Sequence, residues 1–475
     1  MTIRLFDTAT RTVRDFVPNT PGKVGLYVCG ATVQSPPHIG HMRSAVAFDV
    51  LNRWFTRTGF EVTYIRNVTD IDDKILTKSQ EAGYEWWAWA NLNEHAFSGA
   101  YAALGNQLPT YEPRATGHMT DMIELLSKLI ERGHAYVASP GNVYFDTQSW
   151  PQYGTLTNQH LDDVLSAGDE VEQSEKRHPR DFALWKASKP GEPATTTWQT
   201  PFGAGRPGWH LECSAMAWRF LGESFDIHGG GLDLRFPHHE NEQAQSHAAG
   251  FKFTNYWMHS AWVTQGGAKM SKSLGNGLLV TEVLARTRAV VLRYALASVH
   301  YRSMLEWTDE TIAEATSTWD RFAGFVTRAT ETVGPVEKSE VTGAALPPAF
   351  IAAMNDDLNV ANALAVVHEH LKAGNSGLAD KKLELVRTEL IAVRAMLDIF
   401  GLDPQDWATT QTDTRATAAL ESLVAGQLAA RAQARADRDF ATSDAIRDNL
   451  AGAGIVVEDS ATGARWSLAA PSTEG

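Results

Sequence analysis

Short apolar runs alternate with segments of helical periodicity in the N-terminal part of the chain. Residues 25–28 are an apolar run of strand length, residues 60–65 have the composition of a second strand, and residues 42–55 between them carry apolar side chains at helical spacing. The pattern therefore predicts a helix that begins near Gly40. Because strands that alternate with helices form parallel sheets, ligands are expected beyond the carboxyl ends of these strands. The residues expected on that edge are Cys29, His38 and Thr69.

The alternation is interrupted once and then gives way to helices. Between residues 108 and 200, one predicted helix is followed by short β-like runs and a polar stretch, which indicates an inserted, β-rich lobe. A helix to residue 221 and a strand at 225–227 resume the parallel-sheet pattern. Residues 308–332 and 348–400 carry long helical periods, which predict a helical bundle. A polar linker at 409–414 is expected to lead to a last helical hairpin and a short strand.

Composition and charge exclude several classes of protein. With 43% hydrophobic and 21% charged residues, the chain has the composition of an ordinary globular protein. The sequence shows no secretory h-region and no apolar run long enough for a membrane span, so we expect a cytoplasmic location and no membrane partner. The net charge of −14 argues against a general nucleic-acid binder but does not exclude a local basic face. Two cysteines, Cys29 and Cys213, are too few for a disulfide framework.

The first candidate site is the tetrad His38-Ile39-Gly40-His41, at the predicted junction between a strand and a helix. The backbone N–H groups at a helix N-terminus are unpaired and the helix dipole is positive there, which suits a phosphate group. Gly40 leaves space for a planar ring to approach the backbone. Two histidines whose hydrogen bonds are satisfied within a turn would give the same pattern, so the tetrad alone does not establish a function.

A second candidate lies far downstream, in Lys269-Met270-Ser271-Lys272-Ser273. Two lysines three residues apart on a glycine-flanked loop can both reach a polyphosphate, although a solvated surface loop is the common alternative. The two motifs in this order resemble the paired signatures of class I aminoacyl-tRNA synthetases.

A glycine run lies between these two motifs. Residues 229–231 are three glycines after a predicted strand, and they suit a nucleoside lying against the backbone. Asp233 would then bind the ribose hydroxyls. A flexible turn is the alternative.

Both cysteines are expected close to a histidine and a glutamate. His238 and Glu242 are four residues apart near a predicted helix start, so they share one face of that helix. Cys29 follows a strand and Cys213 lies near the start of another helix, at the same edge of the sheet. Such a donor set indicates a zinc site, whereas a surface His/Glu hydrogen bond and two small buried thiols are the alternative. His239 points about 100° away from its neighbour and is not a predicted ligand.

Further stretches make the resemblance more specific. Together with the motifs above, they resemble the cysteinyl-tRNA synthetase family from end to end. Residues 277–280 and 355–361 differ from the sequence that is usual in that family. The first difference lies on the far side of the lysine loop, and the second concerns helix packing. The stretches that carry the resemblance are residues 27–30, 66–74, 181–186, 208–214, 236–242, 269–276, 443–448 and 463–466.

This resemblance implies a two-step reaction of L-cysteine, ATP and cysteine tRNA through cysteinyl-adenylate. It implies one Zn²⁺ per chain that selects the substrate thiol, and Mg²⁺ that is bound with ATP. The implied zinc ligands are Cys29, Cys213, His238 and Glu242, and the implied amino-acid contacts are Thr69 and Trp209. The implied catalytic residues are His38, His41, Lys269 and Lys272. The implied ATP-binding residues are His38, Gly40, His41, Gly230, Asp233, Lys269 and Lys272.

The predicted fold class is α/β, with a Rossmann-type parallel-sheet catalytic domain that contains an inserted lobe. An α-helical bundle and a small C-terminal anticodon-binding module follow, and the resemblance implies a monomer. The expected parts are the catalytic halves at 1–107 and 201–258, the inserted connective lobe at 108–200, a stem-contact region with the lysine loop at 259–307, the bundle at 308–408 and the C-terminal module at 409–475.

Three arginines of the C-terminal module have the spacing of one helix face, namely Arg431, Arg435 and Arg438. Charge alone favours a solvated helix that nearby aspartates balance. The family resemblance favours binding of the tRNA anticodon loop by these arginines and Trp466, because single-stranded bases are read by stacking and by hydrogen bonds to their edges.

Three alternatives fit the whole chain less well. The related enzyme of mycothiol synthesis uses the same catalytic machinery but lacks a full anticodon-binding end. A catalytically idle RNA-binding paralogue would be expected to have lost one of the paired histidines, the lysines or the candidate zinc ligands, and none is missing here. A nucleotidyltransferase that uses the same tetrad on a small molecule should end much earlier.

Overall fold

The computed structural model describes residues 2–158, 175–269, 278–460 and 463–468. The chain divides into two compact units, Met1–Asp403 and Pro404–Gly475. None of the described helices is both long enough and apolar enough to cross a membrane. The strands are β1 Arg4–Asp7, β2 Thr12–Asp15, β3 Lys23–Val28, β4 Glu61–Arg66, β5 Ala135–Ser139, β6 Asn142–Phe145, β7 Phe182–Ala187, β8 Gly205–Pro207, β9 Ser224–Gly231, β10 Phe253–Ser260, β11 Val263–Gln265, β12 Ala268–Lys269, β13 Leu305–Glu306, β14 Ile455–Ser460 and β15 Gly463–Leu468. The helices are α1 Ile39–Arg57, α2 Asp73–Ala82, α3 Trp86–Ala103, α4 Met119–Glu131, α5 Trp209–Leu221, α6 Glu240–Ala248, α7 Val280–Leu284, α8 Ala289–Ala297, α9 Asp309–Val333, α10 Lys338–Gly343, α11 Pro348–Asn355, α12 Val360–Ala379, α13 Leu383–Ile399, α14 Pro404–Ala436 and α15 Phe440–Gly452.

A parallel sheet of four strands lies at the centre of the first unit, which confirms the prediction from the alternating pattern. Its order is β10-β9-β3-β4, and every neighbouring pair is parallel. Strand β3 is in the interior of the sheet, with Leu26 and Tyr27 fully buried. A strand that is covered on both faces needs apolar side chains throughout, which explains its continuous apolar run. Helix α1 begins at Ile39, where the periodicity predicts it.

An antiparallel sheet forms the inserted lobe, in the order β5-β6-β7-β8. Because β8 is Gly205–Pro207, this sheet continues past residue 200. A buried arginine attaches the lobe to α2, since Arg206 donates to Asp73 and to Glu192 at 2.6 Å each. Burial alone would raise the pKa of Asp73, but Lys186 and Arg206 lower it to about 2. The ion pairs therefore hold the lobe against the first catalytic half at neutral pH.

A small sheet in the order β12-β11-β13 precedes the bundle. Gly266 and Gly267 form the turn between β11 and β12, with φ of 60° and 76°, which glycine adopts without strain. Glu306 of β13 accepts hydrogen bonds from the amide of Gly267 at 3.2 Å and from the hydroxyl of Thr264 at 2.5 Å. This hairpin is thus fixed at the point where it leads into the lysine loop.

Helices α9 to α13 form the predicted bundle and bury the apolar positions of their helical period. Trp319, Phe322 and Phe325 of α9 are buried, as is Leu390 of α13. The polar positions of the same helices remain at the surface, which is the pattern of a packed bundle.

The second unit contains α14, α15 and the hairpin of β14 and β15, around a small core of Val424, Leu450 and Ile455. The predicted linker at 409–414 is wrong, because α14 runs through it. This stretch is polar but contains neither glycine nor proline, so no residue in it ends a helix.

The predicted common face of the three arginines is also wrong. Helix α14 ends at Ala436, and Arg438 lies beyond that end with a φ of 60°. Arg431 is buried, with 4% of its surface exposed, whereas Arg435 is exposed. The spacing of the three residues was helical, but the helix stops before it reaches the third of them.

Candidate active site

The carboxyl ends of the parallel strands bring the candidate residues together. Cys29 directly follows β3, and Thr69 comes shortly after β4. The segments that follow β3 and β4 are joined, since Thr32 forms a parallel bridge with Thr69. Gly30 is needed between them, because a Cβ at this position would lie 1.7 Å from the carbonyl oxygen of Asn67. The edge of the sheet is therefore a closely packed surface.

The four predicted metal ligands meet in the interior beside this edge, where one ligand atom from each lies within 4.8 Å of the others. The Cys29 thiol donates to Glu242 Oε1 at 3.2 Å, and His238 Nε2 lies 3.0 Å from the same oxygen. His238 stands in a wide turn, Arg235–His239, and α6 itself begins only at Glu240, later than the predicted helix start. The set Cys29, Cys213, His238 and Glu242 is buried throughout.

This donor set carries charge although it is shielded from water. Burial disfavours the Cys213 thiolate, but contacts with Cys29 and His238 lower the pKa of that thiol to about 6. Burial would lower the pKa of His238, yet Glu242 and Cys213 raise it to about 10. Burial also raises the pKa of Cys29 well above its ordinary value. A thiolate and a carboxylate therefore surround a proton on His238, and a cation could take the place of that proton.

Three further histidines lie beside the donor set, and sequence reasoning did not assign them to the site. His228 Nε2 lies 2.9 Å from Glu242 Oε2, and His239 Nδ1 lies 2.8 Å from His259 Nε2. Cys29, His228, His239 and Glu242 form a second group of close ligand atoms. His239 thus contributes to the site although its helical position directs it away from His238. The available signal was that His228 and His259 come near the carboxyl ends of strands β9 and β10.

Trp209 covers one side of the donor set. Its indole stacks on the His238 ring, with centroids 4.2 Å apart and planes inclined by 25°. His210 Nδ1 lies 3.0 Å from His238 Nδ1, so the His238 ring is held on both nitrogens. Thr69 is buried at the same edge and accepts a hydrogen bond from Asn67 at 3.2 Å. Trp209 and Thr69 therefore both stand at the sheet edge where the amino acid is expected.

Glu212, beside Cys213, is a buried acid that sequence reasoning missed. Its Oε2 has no hydrogen-bond partner among the described residues. Burial, and then the charges of Cys213 and Asp72, raise the pKa of Glu212 well above its ordinary value. No sequence signal separates it from an ordinary helical glutamate.

His38 is the N-cap of α1, and the tetrad is held by its own hydrogen bonds. His38 Nδ1 accepts from the amide of Gly40 at 3.1 Å, and His41 Nδ1 accepts from the amide of His38 at 3.2 Å. The two rings stack with centroids 3.7 Å apart. Because Nδ1 accepts in both rings, each neutral imidazole carries its proton on Nε2. Each Nδ1 thus has its hydrogen bond within the turn. Each ring also carries an Nε2–H group beside the N-terminus of α1.

The glycine run 229–231 belongs to strand β9, so the predicted end of this strand at residue 227 is wrong, and so is the alternative of a flexible turn. A Cβ at Gly229 would lie 2.3 Å from the Phe48 ring, and one at Gly230 would lie 2.9 Å from the His239 ring. These glycines let α1 and His239 approach the strand closely. The contacts of Gly230 and Asp233 with a nucleoside stay predictions.

The described ends of the lysine loop are attached at two places. Lys269 is the last residue of β12 and lies opposite Thr264 of β11. On the far side of the loop, the backbone of Leu279 forms an antiparallel bridge with that of His38. Lys272 lies outside the described residues. The chain after the loop therefore returns to the tetrad.

In the C-terminal unit, Trp466 of β15 is paired with Val457 and is partly buried against the small core. Arg435 is exposed on α14. The contacts of Trp466, Arg435 and Arg438 with RNA stay predictions, and the burial of Arg431 makes it the weakest of the predicted contacts.

Three family models match the chain one after another. Residues 15–317 match the tRNA synthetases class I (C) catalytic domain, residues 349–404 match the DALR domain, and residues 417–466 match the cysteinyl-tRNA ligase anticodon binding domain. Among solved structures, a methionyl-tRNA synthetase of Mycobacterium tuberculosis is similar with a TM-score of 0.57 and 15% identity, over 80% of this chain and 90% of that chain. At that identity the likeness concerns the fold.

Full-length relatives are closer in sequence. The cysteine–tRNA ligase of Beutenbergia cavernae is 61% identical over 98% of this chain and 99% of its own length. The cysteine–tRNA ligase of Streptomyces avermitilis is 55% identical over 98% of this chain and 99% of its own length. The parallel sheet and the tetrad at its edge, together with the catalytic-domain match, define a class I aminoacyl-tRNA synthetase. With its anticodon-domain match and its full-length relatives, the chain belongs to the cysteine–tRNA ligase family.

Proposed function

We propose that the chain joins L-cysteine to cysteine tRNA in two steps. Cysteine and ATP first form cysteinyl-adenylate and pyrophosphate, and the cysteinyl group then passes to the 3′-terminal ribose of the tRNA. The observation that carries this proposal is the buried set of two thiols, one imidazole and one carboxylate at the edge of the sheet. A thiol-rich set of this kind suits a soft metal ion and, through it, a substrate thiol.

Cys29, Cys213, His238 and Glu242 would hold one Zn²⁺. The residues fit this ion, because Zn²⁺ prefers thiolate, imidazole and carboxylate ligands and the pKa of Cys213, about 6, supplies a thiolate at neutral pH. When bound, the ion would supply a Lewis-acid position that accepts the thiolate of cysteine and discriminates against the hydroxyl of serine. His228 would orient Glu242 through its contact with the other carboxylate oxygen.

Trp209 and Thr69 would enclose the substrate cysteine. Trp209 fixes the His238 ring by stacking on it. Thr69 is held by the amide of Asn67, so its hydroxyl has a fixed position at the sheet edge. A pocket whose walls are fixed in this way positions the carboxylate of the amino acid for attack.

His38 and His41 would bind the phosphates of ATP. Each ring can donate from Nε2, and the dipole of α1 favours negative charge at the same place. The cysteine carboxylate attacks the α-phosphorus, a P–O bond forms, and the bond to the departing pyrophosphate breaks. The step needs stabilised charge rather than a transferred proton, and Lys269 and Lys272 would supply it, with Mg²⁺ arriving on ATP. The remaining proposed ATP contacts are Gly40, Gly230 and Asp233.

The divisions predicted from the sequence complete the proposal, with two changes. The inserted lobe is drawn to Pro207 rather than to residue 200, because β8 belongs to its sheet. The C-terminal module is drawn from Pro404 rather than residue 409, because α14 begins there and opens the second unit. Arg435, Arg438 and Trp466 are the proposed anticodon contacts. A tRNA substrate also supports the expected cytoplasmic location, and the family resemblance supports a monomer.

The test is charging of purified cysteine tRNA by the full-length enzyme with ATP and labelled cysteine. We expect ester-linked cysteine at the 3′ end of the tRNA, released by mild alkali. An enzyme of the mycothiol type would activate cysteine but leave the tRNA uncharged, and that result would contradict the proposal.

A further inference from the structure

A small cavity lies between α1, α8 and the chain that leads into α12. Its volume is about 20 Å³, and one water-sized particle needs about 10–15 Å³, so there is room for one small ligand. Ala47 of α1, Leu296 of α8 and Leu358 before α12 contribute apolar walls. Arg43 is the one charged side chain among the described residues that line the cavity. The cavity therefore places a cation in largely apolar surroundings.

Arg43 is buried and has no carboxylate partner among the described residues. Only 1% of its surface is exposed, and burial lowers its pKa to about 10, so it stays charged at neutral pH. Its Nη atoms donate to backbone carbonyls, to that of Leu296 and, at 2.7 Å, to that of His300. Its Nε–H has no hydrogen-bond partner in the part of the chain that the structure describes. The positive charge thus meets carbonyl dipoles but no described negative charge.

Other buried arginines of this unit are compensated differently. Four of them are at most 4% exposed, and each forms an ion pair with a carboxylate. These pairs are Arg66–Glu112, Arg206–Asp73, Arg293–Asp49 and Arg394–Asp403. An unpaired charge is costly inside a protein. Since the described residues give Arg43 no such partner, a ligand that supplies the negative charge is indicated.

Asp357, which precedes the cavity wall, does not supply that charge. It accepts hydrogen bonds from Arg302 Nε at 2.8 Å and from the Tyr301 hydroxyl at 2.7 Å. Burial lowers the pKa of His300, so this neighbour is neutral at neutral pH and leaves the charge of Arg43 unchanged.

An anion fits this lining better than a water molecule does. A buried water makes about three hydrogen bonds and must donate as well as accept. The described lining side chains offer it the Nε–H of Arg43 and one acceptor, the oxygen of Tyr301, whose own hydrogen is directed to Asp357. An anion only accepts, so it needs no acceptor in the wall, and its charge offsets that of the guanidinium.

We propose that this cavity binds one small monovalent anion, chloride under ordinary conditions, at the Nε–H of Arg43. The bound ion stabilises the packing of α1 on α8 and on the chain before α12. Neither Arg43 nor the ion takes part in the proposed reaction, so the anion site does not depend on the proposed function.

Thermal unfolding of the full-length enzyme in sodium chloride and in sodium gluconate, at equal ionic strength, tests for this ion. Gluconate is too large for a cavity of about 20 Å³. A ligand that binds only the folded state stabilises it with the logarithm of its concentration. We expect the unfolding midpoint to rise by about 1–2 °C once chloride exceeds its dissociation constant about tenfold.

Two variants remove the site in different ways. Arg43→Met removes the charge but keeps a long side chain, and Ala47→Val fills the cavity while Arg43 remains. Ala102→Val is the control for a valine in a helix, because Ala102 is exposed on α3. The chloride-dependent shift should disappear in the first two variants and persist in the third. If Arg43→Met does not fold, Ala47→Val and the wild-type enzyme decide the question.

Crystals soaked in sodium bromide locate the ion, because bromide is close to chloride in size and scatters anomalously. We expect one anomalous peak beside Arg43 Nε. Density in the cavity without an anomalous signal would mean a water molecule and would overturn the proposal. A bromide peak without any chloride-dependent shift of the midpoint would mean an adventitious ion only, which also overturns it. The same holds if Ala47→Val keeps the full wild-type shift, because chloride would then act elsewhere.

Discussion

The backbone of His38 is paired with the backbone of Leu279 in an antiparallel bridge. The amide of the neighbouring Ile39 adds a hydrogen bond of 3.1 Å to the carbonyl of Leu278. The chain that leaves the lysine loop is thereby attached to the tetrad that caps α1. Glu306 holds the hairpin on the other side of the loop. The described residues on the far side of the lysine loop are thus joined to the tetrad through the backbone, which is the arrangement needed if both motifs bind one ATP.

Replacing Lys272 by alanine should slow adenylate formation without weakening cysteine binding. Its proposed contact with the departing pyrophosphate strengthens in the transition state, so we expect kcat for cysteine-dependent exchange to fall by about 10²–10³. The dissociation constant of cysteine should change by less than about twofold. Lys252→Ala is the control, since Lys252 is exposed and lies outside the proposed site. An unchanged exchange rate would remove the loop from the chemistry.

Gly229→Ala should destabilise the catalytic domain. The added Cβ would lie 2.3 Å from the Phe48 ring, so α1 or the strand must shift. Overpacking of this kind costs about 1–3 kcal/mol of unfolding free energy. Gly99→Ala in α3 is the matched control, because nothing lies within 4 Å of its added Cβ. Urea unfolding checks both, and equal midpoints for the two variants would show that the contact of α1 with β9 is looser than described.

Deletion of residues 404–475 should separate activation from charging. The remaining unit, Met1–Asp403, contains the sheet, the donor set and the tetrad, so exchange with cysteine should stay within about twofold of the full chain. Charging of cysteine tRNA should fall by at least about 100-fold, since stacking of each base contributes about 1–3 kcal/mol. Circular dichroism verifies that the shortened chain is folded. Undiminished charging by a folded truncation would refute the anticodon assignment.

Cys213→Ser should remove the metal and the activation of cysteine together. A hydroxyl does not ionise at neutral pH, so the donor set loses its thiolate, and we expect metal affinity to fall by at least about 100-fold. Elemental analysis should find about one zinc per wild-type chain and almost none in the variant. A fully active wild-type enzyme without zinc would contradict the proposed role of the metal.

Local spacing and strand ends were sufficient to predict that the four donor residues meet. The separation of His238 and Glu242 places them beside each other, and the ends of parallel strands meet at one edge whatever the loops do. The contacts of His228, His239 and His259 depend on β9 and β10 being neighbours. No local pattern encodes strand order, so the positions of His228 and His259 near strand ends did not by themselves assign these residues to the site.

Two of the wrong boundaries, at residues 227 and 409, have a common cause. Polar composition was interpreted as a linker at 409–414, and the glycine run 229–231 was placed after the end of a strand, but both stretches are regular structure. In the first, no residue stops a helix. In the second, close packing against Phe48 requires glycine within a strand. Composition reports exposure and side-chain size, whereas the backbone conformation also depends on tertiary neighbours.

The proposed thiol selection is tested most directly by ATP–pyrophosphate exchange with cysteine and with serine as alternative substrates. The two amino acids differ in one atom, which faces the proposed metal. We expect kcat/KM for cysteine to exceed that for serine by about 10⁴–10⁵, because a site built around one polar contact rejects an analogue that cannot make it. A ratio below about 10² is what an ordinary pocket without such a contact achieves, and it would contradict thiol selection by this site.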